Sequence, residues 1–163
     1  MQKESAEKRA RVRKSAARKR RTGLGFLKHT PGPKGASNDC AVRAATLATG
    51  LSYKYVYDEL QTMNTRAKAS RSEIAKYGTL NEVTTRFLWE NGWEKIETGW
   101  QEKKLLKAEY LPVQPCVVQV SGHLLFVDDD TVLDTWDSRG DRSRRIEAVY
   151  VPELSLIHIS EPT

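Results

Sequence analysis

The sequence predicts an α+β domain in which helices come first and an antiparallel sheet follows. Three observations carry this reading. Apolar residues recur at helical spacing between Ala41 and Leu88. After Pro112 and Pro115 the period changes to the alternation of strands. The alternating segments are separated by short polar turns, as in a meander. At 163 residues, 39% of them hydrophobic, the chain fits one domain and not two.

The two ends are set apart from this domain. Residues 1–22 hold ten Lys/Arg and two Glu, a net charge of +8, whereas residues 23–153 are close to neutral at −1. The run Lys8-Arg9-Ala10-Arg11-Val12-Arg13-Lys14, followed by Arg18-Lys19-Arg20-Arg21, repels itself and offers little to bury. Residues 1–22 are therefore expected as a basic disordered tail or a frayed helix. Nucleic acid is the partner such an arm would meet, through phosphates and with strong salt dependence. A solubilising extension is the plainer alternative. Leu154 to Thr163 looks like a translated sequencing adapter of non-native origin and is set aside, His158 with it. The working domain spans 23–153.

Within it, Gly23 to Gly35 is rich in Gly and Pro and reads as an extended lead-in. Asn38 and Asp39 are N-cap types, Cys40 falls in the first turn of an Ala-rich helix, and Gly50 stops that helix. Ser52 caps a second helix through Tyr53, Val56, Tyr57 and Leu60. Asn64 to Tyr77 reads as an exposed loop, with room for a short helix. Thr79 and Glu82 form a capping box for a third helix that Asn91-Gly92 ends. A weaker helix is expected over Glu102 to Glu109. Strands follow at Cys116–Val120, His123–Asp128, Thr131–Trp136 and Ile146–Val151, with Asp128-Asp129-Asp130 as the turn between the second and third.

Several function classes fall away. No apolar stretch approaches the roughly 20 residues of a bilayer span, and the N-terminus lacks the apolar core of a signal peptide. No membrane partner is expected. Two cysteines are too few for a disulfide framework, so the expected compartment is the reducing cytoplasm. Neither a Cys-x2-4-Cys pair nor a His-x3-5-His pair is present, and no phosphate-binding glycine pattern appears. No metal and no cofactor are expected.

The remaining chemistry centres on Cys40. A thiolate is favoured at a helix N-terminus, where unpaired N–H groups and the helix dipole stabilise negative charge. An imidazole can take the thiol proton, and a carboxylate behind the ring fixes its tautomer. His123 is the leading candidate, since the other histidines lie in the irregular lead-in and the final segment. A two-residue turn at Asp129-Asp130 pairs residues whose numbers sum to 259, so His123 faces Trp136 and Asp134 lies on the diagonal. Period two keeps Asp134, Trp136 and His123 on one face, with Trp136 placed to cover the His–Asp hydrogen bond. Taken singly, each residue has a duller explanation: a buried small hydrophobe, a structural histidine, a charge at a strand edge. Their joint arrangement favours a cysteine enzyme. Cys116 opens an apolar strand and reads as core.

Cys40 on its helix, Gly122-His123 opening a strand and Asp134-Thr135-Trp136 on the next together resemble a papain-like cysteine peptidase. In that superfamily the chain order is Cys, His, then Asn or Asp, and Asp-Thr-Trp is similar to the Asn-Ser-Trp of papain relatives. The Asn-Asp-Cys helix start and Gly-His hairpin also look like those of small phage-encoded papain-like proteins. The resemblance, over about Pro33 to Val151, implies a nucleophile helix packed on an antiparallel sheet and a Cys40–His123–Asp134 triad cleaving peptide or isopeptide bonds. Cys40-Ala41-Val42-Arg43-Ala44 is similar to the helix start of ubiquitin-type isopeptidases. One position departs from the pattern. Papain relatives carry a Gln six residues before the nucleophile to donate to the oxyanion, and here that residue is Lys34. The oxyanion hole is then expected from the Cys40 N–H with the Asn38 side-chain amide, or from Ser37. A catalytically inert papain-like module, whose basic arm binds nucleic acid or a virion partner, is the alternative.

Overall fold

The computed structural model describes residues 2–29, 31–96, 104–140 and 144–153. Its elements are α1 (Gln2–Thr22), β1 (Gly25–Lys28), α2 (Cys40–Thr49), α3 (Tyr53–Ala67), α4 (Ile74–Tyr77), α5 (Asn81–Glu90), β2 (Trp93–Ile96), β3 (Cys116–Val120), β4 (His123–Asp128), β5 (Thr131–Asp134) and β6 (Ala148–Pro152), with 3₁₀ turns at Ala69–Arg71 and Ala108–Tyr110. The strands form one six-stranded sheet in the order β1-β5-β4-β3-β6-β2. All pairings are antiparallel except that of β1 with β5. The fold is α+β: N-terminal helices packed on a mostly antiparallel mixed sheet.

Alternation along the central strands builds two cores. Val117, Leu124, Phe126 and Tyr150 pack with Val42, Ala45, Val56, Leu60, Phe87 and Leu88 of α2, α3 and α5. Cys116, Val118, Leu125, Val127, Val132 and Val149 pack on the opposite side with Leu24, Leu106 and Ile146. Both faces of β3, β4 and β6 are thus buried, which is why these strands are almost continuously apolar. The β4–β5 hairpin has the expected register, Phe126 opposite Leu133 and Asp128 opposite Thr131. Asp129 and Asp130 both take positive φ, 49° and 52°, as a two-residue turn matched to strand twist requires. Reciprocal 2.7 Å hydrogen bonds between the Gln114 side-chain amide and Asp130 hold that turn.

Several expectations are corrected. The basic segment is helical, not disordered: α1 runs from Gln2 to Thr22, and its last two turns are tied down. Arg18 donates to Asp137 Oδ2 at 2.8 Å, Arg21 donates to the Gly140 carbonyl, and the Ser15 hydroxyl accepts from buried Arg139 at 2.9 Å. A tertiary ion pair and hydrogen bonds supply what its composition lacks in apolar surface. The lead-in contributes an edge strand, β1, and Trp93–Ile96 supplies the other edge; neither strand was anticipated. Helix α3 continues to Ala67, through the first four residues of the expected loop. Over the described part of Glu102–Glu109 the chain forms a bridge from Leu105 to Arg145 and a 3₁₀ turn, not a helix. Leu154 to Thr163 lie outside the described residues. Among the described residues no helix is long and apolar enough to cross a membrane.

The expected capping box of α5 is also absent, because Thr79 makes no cap hydrogen bond. A residue from another helix serves the same end. Asn64 is fully buried; its oxygen accepts from the Leu80 N–H at 3.1 Å, and its nitrogen donates to the Ser72 and Gly78 carbonyls at 3.2 and 3.0 Å. One side chain therefore fastens α3, the segment before α4 and the start of α5. Replacing it by Leu removes the partner of the Leu80 N–H and of the Gly78 carbonyl, while the Ser72 carbonyl keeps its 2.7 Å bond from Gln61, so Asn64→Leu is expected to lower stability by about 2–4 kcal/mol in urea unfolding monitored by circular dichroism.

Candidate active site

The site forms where three elements end on one side of the sheet. Cys40 is the first residue of α2, His123 the first of β4 and Asp134 the last of β5. Antiparallel pairing places the latter two at the same end of the hairpin, and α2 packs along β4 with its N-terminus there. Helix α2 begins without a side-chain cap: buried Asp39 directs its carboxylate instead to the Tyr53 hydroxyl at 2.7 Å and to Arg43 Nε at 2.9 Å. Burial first, and then the Asp39 carboxylate, push the Tyr53 phenol upward, so it stays a donor. Arg43 reaches on to Thr135 Oγ1 at 2.7 Å and to the Ala36 carbonyl, bracing α2 against the residue after Asp134.

The three predicted groups meet. His123 Nε2 lies 2.7 Å from Asp134 Oδ2, and the Cys40 thiol lines one cleft with His123 and interacts with the same ring, each shifting the other's pKa; the ring's remaining nitrogen is Nδ1. Asp134 is fully engaged: Oδ2 also accepts from Ser138 Oγ at 2.6 Å, and Oδ1 accepts from the Thr135 N–H at 2.7 Å. Burial works against its charge, yet the bonds from His123 and Ser138 hold the carboxyl below its usual range. Burial likewise opposes charge on His123, but Asp134 and then Cys40 outweigh it and carry the imidazole up to about 9. At Cys40 burial raises the thiol, while His123 and the backbone N–H groups of Leu124 and Ala41 bring it below its ordinary 9.0. The opposed shifts favour a thiolate–imidazolium pair at neutral pH.

Trp136 lies beside this pair, its ring 5.0 Å from the His123 ring and tilted by 48°. It remains 47% exposed, and the Arg144 guanidinium sits 5.3 Å from its ring centre, so it covers the imidazole from one side only. Asn38 lines the cleft but does not offer its amide to an oxyanion. The Nδ2 group donates to the Ala75 and Lys76 carbonyls at 2.9 and 3.3 Å, because Asn38 takes φ 57° and turns toward α4. Ser37 is drawn the same way, its hydroxyl 3.4 Å from the Ala75 oxygen. The first-turn N–H groups of α2, which have no side-chain cap, are what remains for an oxyanion.

Ser138 escaped the sequence reading. Its only signal is a hydroxyl four residues after Asp134, too common a pattern to single out. Cys116 is fully buried, and burial, with Asp128 nearby, pushes its thiol up to about 12. It belongs to the core, as expected. Among the described residues no group of three or more His, Cys, Asp or Glu side chains is arranged to hold a metal ion.

The two thiols should be separable by alkylation. Iodoacetamide is expected to modify Cys40 at pH 7 while Cys116 stays unmodified in the folded protein. The Cys40 rate should persist well below pH 9, since its thiolate form survives there. In His123→Ala only the backbone N–H groups of Leu124 and Ala41 still oppose burial, the thiol titrates at higher pH, and the rate at pH 7 should fall on the order of 10- to 100-fold, read by mass spectrometry of the modified peptides.

Comparison with known protein families, curated proteins and solved structures finds no match in any of the three.

Proposed function

We propose that the protein is a thiol-dependent peptidase or isopeptidase that cleaves amide bonds through Cys40, His123 and Asp134, on a papain-like arrangement of nucleophile helix and sheet. The observation that carries this reading is the continuous contact from thiol to imidazole to carboxylate, with the imidazole raised to about 9 and the thiol lowered. The Cys40 thiolate attacks the substrate carbonyl carbon, and the imidazolium passes its Nδ1 proton to the leaving amine. Water, deprotonated by the now neutral ring, then releases the acyl group and restores the thiol. Asp134 keeps Nε2 protonated, which leaves Nδ1 to handle the transferred proton.

Stabilisation of the oxyanion rests on backbone N–H groups alone in this reading, since Asn38 and Ser37 are engaged by α4. One missing side-chain donor is worth roughly 100- to 1000-fold in rate in other enzymes, so turnover slower than that of a full oxyanion hole is expected. Hydrolysis of a quenched peptide library should vanish in Cys40→Ala and fall on the order of 100-fold or more in Asp134→Asn, whose amide cannot hold an imidazolium. Activity should decline as pH rises through about 9, where His123 loses the proton that the leaving amine needs. It should hold in acid to a point below the ordinary thiol value. A flat profile between pH 7 and 10, or full activity in Cys40→Ala, contradicts the proposal.

A second reading concerns α1. Its residues 5–14 are exposed all round, including Lys8, Arg9, Arg11, Arg13 and Lys14, while only its last two turns are docked. A projecting basic helix of this kind suits a nucleic-acid partner, with the scaffold catalytically inert or acting beside it. Replacing those five residues by Gln leaves the docked turns intact. It should weaken binding to a fluorescent single-stranded oligonucleotide at 50 mM salt on the order of 100-fold or more and flatten the salt dependence.

A further inference from the structure

Beside Cys40 and His123 opens a cleft of about 270 Å³, with Gln119 and Glu147 on one wall and Thr79 and Asn81, at the start of α5, on another. Gln119 shares its sheet face with Val117, which packs under the helices, and pairs across β3 and β4 with Leu124, whose N–H touches the Cys40 sulfur. The floor of the cleft is therefore built directly onto the reacting end of the hairpin. Its polarity is one-sided. Gln119 Oε1 and Thr79 Oγ1 are buried without a hydrogen-bond partner among the described residues. The Gln119 amide is oriented by its nitrogen, which donates to Glu147 Oε2 at 3.3 Å and so turns the oxygen away from the carboxylate. A buried oxygen left unpaired is costly, and two of them on the walls of one cleft mark a place where a ligand brings donors.

We propose that this cleft is the subsite for a substrate side chain and that it selects a long basic residue, arginine foremost. The inference rests on the hydrolase reading above and adds the substrate class. A guanidinium carries five N–H donors in a planar fork and no acceptor, which suits an amide oxygen, a hydroxyl oxygen and a carboxylate set apart around one cavity. The Glu147 carboxylate supplies the countercharge and accepts more than one bond. An apolar side chain would leave both oxygens dry and unpaired, and an acidic one would meet Glu147. Sites built to hydrogen-bond a substrate group reject analogues lacking it far more strongly than apolar pockets reject a missing methylene.

The test uses the full chain and peptidyl acyloxymethyl ketones, which alkylate a thiolate: the sulfur forms a C–S bond as the carboxylate leaves. The residue at each of the two positions nearest the ketone is varied among Arg, Lys, norleucine and Glu. At one of these positions Arg is expected to label Cys40 at least on the order of 10-fold faster than norleucine, and Glu slower still. The Arg-to-norleucine ratio, measured within each variant, should fall toward one in Glu147→Gln and in Gln119→Leu. Thr79→Val, which removes an unpaired oxygen without changing shape, should lower the ratio as well and stands in should Gln119→Leu fail to fold. A ratio near one in the unaltered protein, or one that persists through Glu147→Gln and Thr79→Val, overturns the subsite while His123-dependent iodoacetamide labelling of Cys40 upholds the hydrolase reading. Labelling of Cys40 that ignores His123 overturns both.

Discussion

The arrangement at the site depends on the carboxylate of Asp134. It is 7% exposed, and a buried anion without partners would cost several kcal/mol. Here every partner is local to the end of β5. Thr135 folds its N–H back onto one oxygen, Ser138 returns its hydroxyl to the other, and His123 closes the set from the adjacent strand. The imidazole is thus held by the folding requirement of the carboxylate before any substrate arrives. Once the ring is fixed and able to remain protonated, the sulfur beside it takes the opposite charge.

Helix α2 reaches that ring through a separate set of contacts. Asp39 gives up the usual capping role and binds Tyr53 and Arg43; Arg43 then joins α2 to Thr135, and Tyr53 joins the start of α2 to α3. Leaving the first turn of α2 without a side-chain cap has a chemical side. Its N–H groups stay directed at the sulfur and at whatever oxygen approaches it, a use that a capping side chain would compete with. The same elements that stiffen the helix entry keep it open to anions.

Much of the site was legible because its geometry is short-range. Two aspartates between alternating apolar runs define a two-residue turn, and period two then carries His123, Asp134 and Trp136 to one end of one hairpin whatever else the chain does. Cys40 was legible from its position between Asn-Asp and a helix that Gly50 ends with φ 72°. What escaped depends on contacts distant in sequence. The parallel pairing of Gly25–Lys28 with β5 spans more than a hundred residues, and its strand is half exposed with no alternation to announce it. Asn64 replaces Thr79 as the cap of α5 only because α3 runs a turn and a half further than its apolar spacing declares. The direction of the Asn38 amide escaped for a related reason: its partners, the Ala75 and Lys76 carbonyls of α4, belong to a segment that reads as a loop. The basic helix was legible in charge and not in order, because its anchors are an ion pair and hydrogen bonds to residues 137–140, far along the chain.

Those anchors tie the N-terminal helix to the chain just beyond the β4–β5 hairpin. Arg139 is 1% exposed and grips both oxygens of Asp137, the Leu24 carbonyl and Ser15, while Arg139 and Arg18 draw the Asp137 carboxyl down to about 2 against its burial. Ser138 sits between the two residues of this knot, Asp137 and Arg139. A chain trimmed to begin after Thr22, as a boundary drawn from composition alone would suggest, would strip a buried guanidinium of its covering and loosen the turn that steadies the histidine's partner. Shortened forms prepared for biophysical work should therefore keep everything from Ser15 onward.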